Sequence, residues 1–273
     1  MAAQLVDTHC HIHEASEAFV GNSETHSRWQ KNPLLTSDTM IKSAALDGVT
    51  RLICVGTTVQ DSELAVAFVQ QRPDTWASIG VHPHEAKAHA SGKIVETFNK
   101  LAKQPKVVAV GECGLDYYYD HSPKQDQIRI LRLQIECALE HGLPLIFHVR
   151  DAFEDFWPIF DDYSGIRGVI HSFSATEVEL EQVLARNLYV GLNGIMTFTK
   201  DDKQLAAAKA VPLDRLVLET DAPFLTPVPF RGKICEPRYV RATAEFLAEL
   251  RKENNDELAR VTTDNARALF GLF

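Results

Sequence analysis

The sequence predicts a (β/α)8 barrel, a TIM barrel occupying residues 1–273 as one domain. Three observations carry this expectation. Short apolar runs rich in strand formers alternate with helical segments eight times along the chain. A length of 273 residues suits eight such units in a single domain. A doubly wound open sheet is the alternative, but no glycine-rich phosphate loop follows the first run.

The elements follow in order. Gln4-Leu5-Val6 opens the first strand, which ends in Asp7-Thr8-His9-Cys10-His11. The polar stretch from Glu14 to Leu35, with Gly21-Asn22-Ser23 and Asn32-Pro33, reads as a long loop, either a binding loop or a surface insertion. Ser37-Asp38 starts a helix that stops at Asp47-Gly48. Strands are then expected at Arg51–Gly56, Thr75–His82, Val107–Glu112, Leu143–His148, Gly168–His171, Leu188–Asn193 and Arg215–Asp221. The intervening helices are expected over Asp61–Gln71, Lys93–Lys103, Gln125–Glu140, Glu154–Phe160, Glu177–Arg186 and Lys203–Ala210. The Gln125–Glu140 helix is closed by His141-Gly142. Helices over Arg238–Lys252 and Asp256–Phe270 finish the chain. No linker, low-complexity tract or repeated motif interrupts this rhythm.

A formal charge of -9 argues against a protein that coats nucleic acid with a broad basic face. It leaves room for a nuclease whose phosphate contacts are concentrated at a cationic site. Five cysteines without a CxxC pair fit reduced thiols in a cytoplasmic protein. No signal peptide and no bilayer-spanning window is expected.

The polar residues at the strand ends are the informative ones. In an extended strand His9 and His11 share a face with Asp7 behind them, and burying two imidazoles without partners costs kcal/mol. His82, with His84 just beyond, ends the third strand. Glu112 ends the fourth, His148 the fifth, His171 the sixth and Asp221 the eighth. In a TIM barrel the active site is built at this end of the strands. Alternation places Glu112 with Val108 and Val110, His148 with Ile146, His171 with Val169, and Asp221 with Glu219 and Val217. Each set offers apolar residues to the interior and one polar group to its mouth. Scattered along the chain, these groups are expected to converge in space.

The chain carries Asp-x-His-x-His at 7–11, Gly-Val-His-Pro-His at 80–84 and Gly-Glu-Cys-Gly-Leu-Asp at 111–116. Further on come Pro-Leu-Ile-Phe-His-Val-Arg-Asp-Ala at 144–152, His-Ser-Phe-Ser at 171–174, Glu-Thr-Asp-Ala-Pro-Phe-Leu at 219–225 and Asn-Ala-Arg-Ala-Leu-Phe at 265–270. With these motifs in this order the sequence resembles the TatD family of metal-dependent DNases, within the amidohydrolase superfamily, and the resemblance carries the following implications. It implies a hydrolase with one or two divalent metals, acting on DNA, commonly as a 3′→5′ exonuclease. It further implies that His9, His11, Glu112 and Asp221 hold one metal and that Glu112, His148 and His171 hold the other, Glu112 bridging. Two departures stand out: the long 14–35 segment, and Cys235 where family members usually carry Asn.

Such a site would favour a phosphodiester, because two divalent ions keep a net positive charge beside two carboxylates. Glu112 and Asp221 are the expected catalytic carboxylates, Asp221 orienting or deprotonating the attacking water. Glu219 is expected to support the ligands or to pair with a buried cation. His82, His84, Arg150, Lys200 and Arg231 are expected to contact substrate, with Tyr117 as a base-stacking surface. The imidazole-rich donors suit Zn, Mn or Co, while the resemblance implies Mg for DNA cleavage. The expected partner is DNA, single-stranded or at its ends, with no membrane partner, and the expected state is a monomer. The competing functions are an esterase or amidase of the same superfamily, such as a D-aminoacyl-tRNA deacylase, and a non-catalytic metal-binding scaffold. Glu112 stands where several superfamily barrels use a modified Lys, and the nearest Lys, Lys106, precedes the strand. An open ligand set argues against the scaffold.

Overall fold

The computed structural model describes residues 3–19, 23–89, 94–119 and 121–272. Its strands are β1 (Leu5–Cys10), β2 (Val49–Val55), β3 (Thr75–Ile79), β4 (Val107–Asp116), β5 (Leu145–Arg150), β6 (Gly168–Ile170), β7 (Tyr189–Leu192) and β8 (Leu216–Leu218). The first helices are α1 (Glu24–Trp29), α2 (Ser37–Leu46), α3 (Val59–Gln70), α4 (Ala86–His89) and α5 (Ile94–Leu101). Then follow α6 (Lys124–His141), α7 (Phe153–Asp161), α8 (Glu177–Ala185), α9 (Asp202–Ala210), α10 (Val240–Arg251) and α11 (Asn255–Phe270). The eight strands form one sheet in chain order. Strand order and alternation with helices make this a (β/α)8 barrel, as the sequence predicts.

Two compact units divide the chain: residues 1–54 with 172–273, and residues 55–171. In the first, β1 pairs parallel with β2, β7 pairs parallel with β8, and a parallel bridge joins Cys10 to Ala222. Leu5, Val190, Leu192, Leu216 and Val217 are fully buried. α11 is fastened to this sheet by polar bonds as well as by packing. The Asn265 amide donates to the carbonyls of Leu213 and Leu216, each at 2.8 Å, and the Thr263 hydroxyl donates to that of Gln4 at 2.8 Å. The motif at 265–270 therefore has a structural task, tying the last helix to the start of β8.

In the second unit β3, β4, β5 and β6 pair parallel in sequence. Phe147 of β5 packs edge-on against Phe156 and Phe160 of α7, with ring centroids 5.1 and 5.9 Å apart. The β4–β5 register shifts between Val110 and Cys113. This irregularity falls at Glu112 and changes the simple alternation expected there. Gly114 sits at φ 152° with the carbonyl oxygen of His148 1.8 Å from where a Cβ would stand, so no other residue fits between β4 and β5.

Several expected boundaries are corrected. The 14–35 segment is not a bare loop: a 3-10 turn covers Ile12–Ala15 and α1 lies within it, capped by Ser23, whose hydroxyl accepts from the amide of His26 at 2.8 Å. Gly21 and Asn22 of that stretch lie outside the described residues. α2 is capped by Thr36 in a capping box, with Ser37 already inside the helix. α4 was not expected, and the helix expected over Lys93–Lys103 spans Ile94–Leu101, Lys93 being outside the described residues. β8 stops at Leu218 rather than Asp221.

Candidate functional site

The first cluster belongs to the unit built from residues 1–54 and 172–273. His9 is the penultimate residue of β1 and His11 follows its end. Alternation turns both toward one carboxylate, that of Asp221. Asp221 Oδ1 lies 3.4 Å from His11 Nε2 and 3.8 Å from His9 Nε2. Its position is not set by strand alternation, because β8 has ended. Asp221 sits at φ 61°, and its amide donates to the His9 carbonyl at 2.8 Å, which pins the turn to β1.

Asp7 braces the same turn from behind. Its carboxylate accepts from the amide and hydroxyl of Thr220 at 2.9 and 2.6 Å and from the amide of His9 at 3.2 Å. Burial pushes the Asp7 carboxyl up to about 8, against these hydrogen bonds. Trp29 of α1 donates its indole N–H to the His11 carbonyl at 3.1 Å and is itself buried. The segment expected to be a loop thus steadies the residue that follows β1.

Glu219 follows the end of β8, so strand alternation does not set its place, yet its carboxylate lies within 4.8 Å of a ring nitrogen of His9, the imidazole that Asp221 also approaches. It accepts from the Ser172 amide at 2.6 Å and lies 3.4 Å from the Asn193 amide nitrogen, which also donates to Ser172 Oγ at 2.9 Å. Glu219 therefore helps to order the backbone at Ser172, and its carboxylate also lies close enough to His9 to share a metal with it.

The second cluster belongs to residues 55–171. Glu112 Oε1 lies 2.8 Å from His148 Nδ1 and 3.5 Å from both His82 Nε2 and His171 Nε2. On its other side, His148 Nε2 meets Asp116 Oδ2 at 2.9 Å, and His84 Nε2 meets the same oxygen at 3.0 Å. Burial works against a charged His148, but the bonds to Asp116 and Glu112 outweigh it and raise its pKa. Burial likewise opposes ionised Asp116, yet the bonds from His148 and His84 hold its carboxyl well below the usual carboxylate range. Burial lowers His82 to about 4, so this imidazole is neutral at pH 7. Asp116 was not singled out among the candidate residues from sequence. Its even spacing from Glu112 on β4 was the available signal.

Both clusters fit divalent ions. Two ligands about 2.1 Å from one ion have donor atoms roughly 3.4 Å apart at the tetrahedral angle. The 3.4–3.8 Å contacts of Asp221 and the 3.5 Å contacts of Glu112 have this spacing and exceed ordinary hydrogen-bond lengths. His82, Glu112 and His148 form one group of buried and half-buried donors able to hold a metal.

The expected cations lie outside these clusters. Arg150 and Lys200 are exposed, as is Arg231, which donates to the Thr226 carbonyl at 2.7 Å and lies 3.8 Å over the Phe198 ring. Tyr117 is held by Asp155, its hydroxyl donating at 2.9 Å. Cys235 is fully buried, with its amide bonded to the Pro223 carbonyl.

Known proteins resemble this chain along nearly its whole length. A model of the TatD related DNases matches residues 6–271. The chain belongs to this family. It is a metal-dependent hydrolase acting on ester bonds. Among TatD-like relatives, the uncharacterized metal-dependent hydrolase YabD of Bacillus subtilis is 35% identical over 268 residues, covering 97% of this chain and 98% of the relative. The 3'-5' ssDNA/RNA exonuclease TatD of Erwinia tasmaniensis is 36% identical over 243 residues, covering 86% and 93%. The crystal structure of YJJV, a TatD homolog from Escherichia coli K12, superposes over the whole of both chains with a TM-score of 0.86 at 27% identity.

Proposed function

We propose that this TatD-family protein is a 3′→5′ exonuclease that hydrolyses phosphodiester bonds at the ends of single-stranded DNA with two divalent ions, Mg in the working enzyme. The observation that carries the proposal is the Asp221 carboxylate at co-ligand spacing from two imidazoles. The name of the Erwinia relative supports strand polarity and substrate. His9, His11 and Asp221 would hold one ion, and Glu112, His148 and His171 the other. When bound, the ions supply Lewis-acid charge that lowers the pKa of water and offsets charge gathering on the phosphoryl oxygens.

The chain's own residues supply the rest. Asp221 accepts the proton of the attacking water. Its side chain is 18% exposed while those of His9 and His11 are 0% and 4%, so it is the member that solvent reaches. His148, clamped between Glu112 and Asp116, cannot turn its ring without breaking a bond. Arg150, Lys200 and Arg231 place positive charge for the phosphates, and His82 and His84 offer further ring nitrogens.

The test is a panel of single-stranded DNA, duplex DNA, RNA, aminoacyl-tRNA and simple esters, each with and without EDTA. Metal-dependent trimming of single strands from the 3′ end is expected, and Glu112→Ala and Asp221→Ala should abolish it while keeping the fold. Either variant cutting at the wild-type rate would refute the assignment.

A further inference from the structure

One aromatic segment next to the second cluster has no part in holding an ion. Tyr118 and Tyr119, just after β4, are 59% and 49% exposed. Single exposed tyrosines are ordinary, but these two are built into a fixed corner. Their rings cross at 85° with centroids 4.8 Å apart. The Arg150 guanidinium lies 4.1 Å from the Tyr118 ring centroid and 4.7 Å from that of Tyr119. The His121 ring lies parallel to Tyr119 at 5.8 Å.

The corner is tied to His148 through one buried side chain. Asp116 Oδ1 accepts the amides of both Tyr118 and Tyr119, at 3.0 and 3.1 Å, in the manner of an Asx turn. Its other oxygen holds His148 and His84. One carboxylate therefore sets both the imidazole proposed as a metal ligand and the aromatic corner. Whatever rests on the tyrosines is registered against the reacting centre.

We propose that Tyr118 and Tyr119, backed by Arg150, form a stacking ledge for a nucleobase near the strand end being cut, an inference that rests on the nuclease function above. Every base presents a π-face, so stacking grips any sequence. A guanidinium beside the ring electron cloud is held by cation–π attraction and stays charged toward the adjacent phosphate. Such a ledge favours single strands, because a base inside a duplex has both faces covered by stacked neighbours, whereas an unpaired base near a strand end can turn a free face to the rings.

The test is a two-way comparison on the metal-loaded enzyme. Wild type and Tyr118→Ala are each given a single-stranded oligonucleotide and the same oligonucleotide with an abasic residue near its 3′ end. Base–aromatic stacking predicts a KM about tenfold higher for either change alone and little further increase when they are combined. Tyr118→Phe, which keeps the ring, should restore the wild-type KM. A terminal 2-aminopurine should be quenched on binding to wild type and Tyr118→Phe but not to Tyr118→Ala. Multiplying losses, or no loss in Tyr118→Ala, would overturn the ledge while leaving the nuclease intact. A wild-type enzyme that hydrolyses esters but no nucleic acid would overturn the nuclease function itself, and the ledge with it.

Discussion

Asp116 shows how much one side chain can organise. Both its oxygens are engaged, one by two amides and the other by two imidazoles. Replacing it with Asn removes the charge and turns one acceptor into a donor, so His148 loses its orienting partner. Asp116→Asn should weaken divalent-metal affinity about 10- to 100-fold, measured by calorimetric titration. An unchanged affinity would confine Asp116 to shaping the turn. The same logic applies to Glu219, whose place depends on the lack of a side chain opposite it. A Cβ on Gly191 would stand 2.5 Å from Glu219 Oε2. Its parity with Asp221 is not enforced by a strand, because β8 ends before either residue. The alternation rule holds only while the strand lasts.

At the scale of elements, α1, α2, α3, α8, α9 and α11 start where a short polar side chain caps the first turn. α8 opens with a full capping box, the Thr176 side chain accepting from the backbone and Glu179 returning a bond to Thr176. Thr176→Ala should cost about 1 kcal/mol, seen as a fall of roughly 2 °C in the melting temperature. Burial opposes ionised Glu179, but its bonds to Thr176 outweigh this and lower its pKa. A depressed carboxylate stabilises the fold above its unfolded pKa, near 4.3, and loses that contribution as pH falls through the folded value. The melting difference between wild type and Glu179→Gln should therefore be present at pH 7 and vanish in acid. A difference that grows as pH falls would reverse the assignment. α1 belongs at this scale too. Its short helical signal, lying among polar residues, was masked by neighbouring Gly and Pro, and Trp29 becomes meaningful only once it is seen against His11.

At the scale of the molecule, ligands that bind only the folded chain stabilise it by mass action. Stripping divalent ions with EDTA should lower the melting temperature as well as stop hydrolysis, and readding Mg, Mn or Zn should restore both. Restoration of stability by one ion and of activity by another would separate the resident metal from the working one. The net charge of -9 confines favourable phosphate contacts to a few places. Lys200→Ala and Arg231→Ala should each reduce the salt dependence of single-strand binding by about 0.7 in the log–log slope. No change in slope would remove that residue from the strand's path. The single-domain expectation for residues 1–273 is checked by calorimetry, where one cooperative transition supports it and two would divide it.

Eight strand–helix units, the family, and the imidazoles and carboxylates of both clusters other than Asp116 were legible in the sequence. Those features are written locally: apolar runs set strands, alternation sets faces, and His, Asp and Glu are among the few side chains that ligate metals. What each polar group does for its neighbours became visible only in the folded chain. Asp116 had no local signal stronger than its spacing from Glu112, because its partners come from β5 and from the turn after β3. Asp221 faces His9 and His11 because a hydrogen bond to β1 holds a left-handed turn, not because a strand points it there. Hydrogen bonds between residues far apart in the chain depend on how elements pack, and packing is a property of the folded chain rather than of any window within it.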